Sequence, residues 1–196
     1  AKKALPLIPE KKTTLITTAQ HAHKIRDVKK FLEKKGKSIT LNTGKNGVEL
    51  PGQVLGCNFT AAQTNDNIIL YIGSGTFHPL GAAYYLNKKV IAVDPFTLKT
   101  QEITPETAQK EKYRRITKAY HAKTFAVVIG SKPGQKHAKT ANSLIKKLEK
   151  KGISAYLTSG ETITPETIDY LPFDAFIITA CPRIVIDDWK NYKKPI

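Results

Sequence analysis

Apolar positions along the chain follow two periods. In two stretches they recur every three or four residues: Ile25, Val28 and Leu32 share one helical face, as do Ala141, Leu144, Ile145 and Leu148. Each stretch follows a short β-branched run and a polar loop that holds Gln20 or Gln135, and each closes on Lys-Lys-Gly before a new strand pattern begins. Residues 13–41, "TTLITTAQHAHKIRDVKKFLEKKGKSITL", and residues 123–157, "KTFAVVIGSKPGQKHAKTANSLIKKLEKKGISAYL", are thus two copies of one strand–helix–strand plan. Gly36 and Gly152 supply the left-handed residue that ends a helix, and the preceding lysines suit its negative end. A unit of this length predicts a right-handed crossover and a parallel sheet.

Between the copies, "NIILYIGSG" and "KVIAVDP" are continuous apolar runs closed by Gly, Asp or Pro, the pattern of buried strands. "ITPETAQKEKYRRITKAYHA" then opens a basic helix, with Thr104 as N-cap and Pro105 at the first helical position, and Thr164-Pro165-Glu166 repeats the device. The expectation is an α/β protein of two similar small domains, residues 1–104 and 105–196, each a parallel sheet flanked by helices, with the basic helix joining them.

Composition narrows the class. With 196 residues and 40% hydrophobic content the chain can bury a real core. No apolar run approaches the ~20 residues that span a bilayer, and no charged-then-apolar leader is visible, so a soluble, cytoplasmic protein without membrane partners is expected. The chain starts at Ala1 and contains no methionine, which suggests a piece of a longer protein. The formal net charge of +16 would attract acidic partners. Its lysines fall on helix faces, however, and no aromatic RNA-reading motif, zinc finger or arginine cluster points to nucleic acid.

Candidate chemistry gathers where parallel sheets bind ligands, beyond the carboxyl ends of the strands. "TTAQHAH", "GSGTFHPLG", "DPF", "GSKPGQ" and "ACPR" all fall there, and Cys57 follows the apolar stretch of "PGQVLGCNF". The two cysteines, Cys57 and Cys181, form neither a disulfide framework nor a C-x-x-C pair. Each is a buried small hydrophobe or a working thiolate, and Arg183 beside Cys181 favours the second. A catalytic thiol would need a histidine partner, and no family signature surrounds either cysteine; zinc could draw on His21, His23 or His78, without a recognised spacing. The glycine loops are tight turns or cradles for a carboxylate or phosphate, with Pro79 starting a helix after the first and Lys132 exposed in the second.

The strings "GQVLGCNF", "LYIGSGTFHPLG", "DPF", "RRITKA", "AVVIGSKPGQ" and "LPFDAFIITACPRIVIDDW", in this order through most of the chain, resemble the archaeal-type diphthamide synthase family. The resemblance implies the iron–sulfur component of the 3-amino-3-carboxypropyl transferase that acts on elongation factor 2. It implies three similar α/β domains, each giving one cysteine to a [4Fe–4S] cluster, with Cys57 and Cys181 as the metal-binding, catalytic ligands of the second and third. The first domain and its cysteine are missing, so the chain would be an incomplete and inactive fragment. S-adenosyl-L-methionine would occupy the open iron and yield a 3-amino-3-carboxypropyl radical, a noncanonical radical-SAM reaction. Gly73, Ser74, Gly75 and His78, with Ser131, Lys132, Pro133, Gly134 and Gln135, would line its pocket, and Arg183 would hold its carboxylate. Elongation factor 2 as protein substrate, a homodimer and an electron donor are the partners implied. The alternative is a non-enzymatic tandem α/β module that binds a small anionic metabolite, which leaves both cysteines idle.

Overall fold

The computed structural model describes residues 2–9 and 12–196. The first unit runs through strand β1 (Thr13–Thr17), helix α1 (Ala22–Lys34), β2 (Ile39–Thr40), β3 (Ile68–Ile72), α2 (Phe77–Leu86), β4 (Lys89–Val93) and β5 (Thr100–Ile103). The chain divides into two compact units, Ala1–Lys110 and Glu111–Ile196, so the division falls inside helix α3 (Pro105–Lys118). The second unit holds β6 (Thr124–Gly130), α4 (Ala138–Glu149), β7 (Ser154–Gly160), the short α5 (Pro165–Ile168), β8 (Ala175–Ile178) and the short α6 (Pro182–Ile186).

The sheets share a plan. The first has strand order β2-β1-β3-β4-β5 and the second β7-β6-β8. In each, the first strand lies between the second and the third, both parallel to it. The internal repeat therefore extends past the strand–helix–strand copy to a third strand, β3 in one unit and β8 in the other. The chain reverses its direction of travel across the sheet at that central strand, which is where open α/β sheets leave a crevice.

Burial follows the period of two. Leu15, Leu70 and Ile91 pack with Ile25 and Leu32 of α1 on one face of the first sheet. Ile16, Tyr71 and Ala92 pack with Ala82 and Ala83 of α2 on the other. The threonines of β1 are fully buried yet bonded: Thr14 Oγ1 donates to Asp66 Oδ2 at 2.8 Å, and Thr17 Oγ1 to the Ile72 carbonyl at 2.6 Å. The two long helices also end alike. Lys37 N donates to the Leu32 carbonyl past Gly36 (φ 78°), and Ile153 N to the Leu148 carbonyl past Gly152 (φ 74°), both at 3.1 Å.

Three expectations change. The first sheet is mixed, because β5 pairs antiparallel with β4. Its sequence TQEI buries only Ile103, and three polar residues in four leave no strand signal. Helix α2 begins at Phe77, so Pro79 is its third residue; a proline in the first turn removes an N–H that has no partner within the helix. A five-residue helix, α6, follows Cys181 where only a strand end was expected, with Pro182 as its first residue. Among the described residues no helix is long and apolar enough to cross a membrane.

Candidate functional site

In the first unit, residues 52–54 extend the carboxyl end of the sheet: Thr17 N donates to the Gly52 carbonyl at 2.7 Å and Val54 N to the Thr17 carbonyl at 2.9 Å. Leu55 and Asn58 then exchange backbone hydrogen bonds of 2.9 and 3.0 Å, which makes Gly56 and Cys57 the central residues of a two-residue turn. Cys57 thus sits exposed at a turn tip rather than at a strand end, since a strand as short as this one pairs only through single bridges. The turn is held from behind. A Cβ on Gly56 would lie 2.1 Å from the ring of Phe77, so that ring packs against the Gly56 backbone.

Phe77 opens α2 at the end of the loop 73–76, which the structure brings beside Cys57 in this way. Gly73 N donates to the Val93 carbonyl at 3.1 Å, and the Tyr71 hydroxyl beneath the loop donates to the Ser74 carbonyl at 3.4 Å. A Cβ on Gly73 would meet that hydroxyl at 2.4 Å, and Gly75 is left-handed at φ 75°. The His78 ring stacks on Tyr71 at 6.0 Å, with an interplanar angle of 18°. Burial, helped by the nearby Asp94 charge, pushes the Tyr71 phenol up to about 12, so it stays a donor at physiological pH. Asp94 accepts from the amides of Phe96 (2.8 Å) and Thr97 (3.0 Å). With the Ser74 hydroxyl also bonding to it, these amides hold its carboxyl below the usual range. Ser74 is thereby tied to the "DPF" loop.

A cavity of about 820 Å³ opens at the carboxyl ends of β3 and β4, lined by Gln20, His21, His23, Ile72, Val93 and Phe96 among others. The "TTAQHAH" and "DPF" strings meet there, with the rings of His21 and Phe96 5.6 Å apart. His21 Nε2 is buried without a hydrogen-bond partner.

The second unit repeats the arrangement with a different thiol placement. Gly130 N donates to the Gln135 carbonyl at 3.2 Å, Ser131 N to the Gly160 carbonyl at 3.1 Å, and Gln135 N to the Lys132 carbonyl at 3.0 Å. These bonds curl residues 131–135 over the end of β6, with Gly134 left-handed at φ 76° and Ser131, Lys132, Pro133 and Gly134 exposed. A Cβ on Gly130 would touch both the Gln135 side chain (2.8 Å) and the Ala180 Cβ (3.2 Å), so the loop lies beside the residue that precedes Cys181. Cys181 has extended backbone (φ −71°, ψ 125°) at the start of α6, is half-buried, and its side chain makes no cap hydrogen bond. Arg183 Nε lies 3.8 Å from Asp187 Oδ2, with the Arg183 side chain exposed and that of Asp187 partly covered. Burial raises the Asp187 carboxyl against the pull of Arg183.

Within each unit, then, one free thiol stands beside one glycine loop at the carboxyl edge of the sheet. Phe77, Tyr71 and Ala180, which fix those loops, carried no signal beyond being apolar neighbours of glycine. Among the described residues no group of three or more His, Cys, Asp or Glu side chains is placed to hold a metal. Each free thiol is by itself a soft donor of the type iron–sulfur centres take.

Comparison with known proteins converges on one family. The family model for diphthamide synthesis proteins matches residues 1–196. The 2-(3-amino-3-carboxypropyl)histidine synthase of Pyrococcus horikoshii is 39% identical over 186 residues, covering 95% of this chain and 54% of the relative. That of Methanocaldococcus jannaschii is 32% identical over 185 residues, covering 88% and 54%. The crystal structure of Dph2 from Pyrococcus horikoshii with a 4Fe-4S cluster superimposes with a TM-score of 0.88 at 38% identity, covering 96% of this chain and 55% of that one. The chain spans about half the length of the curated relatives it matches.

Proposed function

The chain belongs to the diphthamide synthesis protein family, and from that premise we propose that it is part of a 2-(3-amino-3-carboxypropyl)histidine synthase. Such an enzyme moves the 3-amino-3-carboxypropyl group of S-adenosylmethionine onto a histidine of elongation factor 2, the first step of diphthamide formation. The observation that carries this reading is the pairing, in each unit, of one free thiol with one glycine loop at the carboxyl edge of its sheet.

In this reading the units are the second and third domains of a three-domain protein. Cys57 and Cys181 hold iron, and a third thiolate comes from outside this chain. When bound, a [4Fe–4S] cluster supplies the single electron that splits the sulfonium and releases the 3-amino-3-carboxypropyl radical. The chain's own residues bind and orient. The backbone of buried Gly73 and of exposed Ser74, Gly75 and residues 131–134, with His78 and Gln135, lines the S-adenosylmethionine pocket, and Arg183 offers a fixed charge for its carboxylate. The lysine-rich surface steers the large protein substrate, whose work in translation places the enzyme in the cytoplasm. A second copy of the protein and a separate electron donor complete the system.

The test uses the chain within a protein of its relatives' length, loaded anaerobically with iron and sulfide. Dithionite, S-adenosylmethionine and elongation factor 2 are added, and intact-mass spectrometry looks for the aminocarboxypropyl adduct. We expect the adduct with the natural sequence and its loss in both Cys57→Ala and Cys181→Ala, with unchanged circular dichroism. An adduct that persists in either variant removes that cysteine from the site. No iron uptake and no adduct from the natural sequence would make the anionic-metabolite module the better account.

A further inference from the structure

Two apolar side chains stand in solvent on the loop between β4 and β5. Asp94 N donates to the Lys99 carbonyl and Leu98 N to the Asp94 carbonyl, both at 3.0 Å, while Asp94 Oδ1 accepts from the amides of Phe96 and Thr97. Leu98 is left-handed at φ 58°, a region that residues with a Cβ rarely adopt. This well-bonded loop leaves Phe96 74% and Leu98 57% exposed. Scattered apolar side chains on a surface mean little, but these two line one cavity.

That cavity, of about 820 Å³, has the volume of a small-molecule site, about 300–1,000 Å³. Buried Ile25, Ile72 and Val93 form its apolar floor, and the exposed Lys2, Lys3 and Lys24 bring positive charge to it. Among the described residues no carboxylate lines it. Helix α1 starts here, directly after the central strand β1, and the side chain of its N-cap, His21, makes no cap hydrogen bond. The positive end of a 13-residue helix therefore borders the cavity. His21 Nε2 is buried without a partner, beside the Phe96 ring at 5.6 Å. Neither Cys57 nor any residue of the loop 73–76 lines this cavity, so it is separate from the S-adenosylmethionine pocket proposed above.

We propose that this cavity binds a mononucleotide. The planar base lies against Phe96 and Leu98 over the apolar floor, and its polar edge meets His21 Nε2. The phosphate sits at the start of α1 among Lys2, Lys3 and Lys24. Open α/β sheets hold nucleotides at this place, beyond the carboxyl end of the first strand, where the strand order reverses. The turn from β1 into α1, "TAQHA", has no glycine, so the backbone does not close on the phosphate and the lysines carry its charge. A wholly apolar ligand would leave these cations and the His21 nitrogen unmatched. A bare anion would leave Phe96 and Leu98 in water. The occupant combines a flat apolar body with a negative group.

The test titrates AMP, adenosine and inorganic phosphate into the whole chain, read by NMR at the amides of Lys24, Phe96 and Leu98 and at the His21 ring. AMP should saturate these signals roughly tenfold more tightly than either adenosine or phosphate. Phe96→Ala and Lys24→Ala change exposed side chains, so both should fold normally, and each should weaken AMP roughly tenfold. Calorimetry on a protein of the relatives' length that contains this chain should find the same site, with S-adenosylmethionine already present. Phosphate binding as tightly as AMP overturns the proposal, since the lysines alone would then account for it, and so does an AMP affinity that Phe96→Ala leaves unchanged. Displacement of AMP by S-adenosylmethionine would assign the cavity to that pocket instead. Binding lost in the longer protein would show that another part of that protein fills the cavity.

Discussion

Gly56 has an aromatic ring where any other residue would carry its Cβ, 2.1 Å away. Gly56→Ala must push Phe77 off the turn, an overpacking cost of about 1–3 kcal/mol, and urea unfolding should show it. Because the displaced ring also props the Cys57 turn, the same variant should bind iron less well at conditions where it is still folded. Two ionisable groups nearby give the loop a pH signature. The Asp94 carboxyl is lowered by the amides of Thr97 and Phe96 and by the Ser74 hydroxyl. A depressed acid stabilises the fold above its unfolded pKa, and that contribution is lost as pH falls through the lowered value. An NMR titration should find Asp94 below the ordinary carboxylate range, and Asp94→Asn should reduce the acid-side loss, the depressed Asp174, Glu106 and Glu166 keeping the rest. Tyr71 has the opposite sign. Its pKa of about 12, against 10.0 for a free phenol, adds stability that is complete below 10.0 and lost as pH rises through about 12. Spectrophotometric titration of Tyr71→Phe should lack one late phenol, while Tyr192, also raised to about 12 by burial and then by Asp188, Asp169 and Glu166, remains.

Elements were legible where local chemistry and tertiary packing agreed. The faces of α1 and α4 are set by Ile25 and Leu32 and by Ala141, and both helices stop at the glycine the sequence placed there. Gly152 has open space around its missing Cβ, so Gly152→Ala meets no clash and costs only backbone strain, about 1 kcal/mol by thermal unfolding. Thr164→Ala breaks the capping box of α5, in which Thr164 and Thr167 bond reciprocally, and should cost a similar ~1 kcal/mol. Where the two disagreed, the sequence was silent. Strand β5 exists because β4 offers it a backbone ladder and Lys89 an ion pair with Glu102; nothing in Thr-Gln-Glu-Ile announces it. The Cys57 turn was not announced by the sequence, because residues 52–54 that lead into it pair with Thr17, far away in sequence.

Over the whole molecule, what sequence alone conveyed was the repeat and the side of each sheet on which chemistry gathers. The repeat was visible because both copies keep their strand–helix–strand spacing and their Lys-Lys-Gly closure. The third strand, β3 or β8, was harder to align, since the connections before it differ in length and carry no shared motif. The placement of Phe77 against Gly56 and of Gln135 against Gly130 was invisible, because each depends on backbones meeting across the sheet edge. The net charge of +16 makes a prediction at this scale. Association with an acidic protein partner should slow markedly between about 0.05 and 0.5 M salt in stopped-flow mixing, and salt-independent association would remove the surface from that role. The unequal settings of the two thiols carry a practical consequence. Cys57 stands in solvent at a turn tip, whereas Cys181 is half-covered at the start of α6. A bulky maleimide should therefore modify Cys57 first. Peptide mapping at limiting reagent should find the adduct on Cys57 before Cys181, and equal labelling of the two would contradict their unequal exposure.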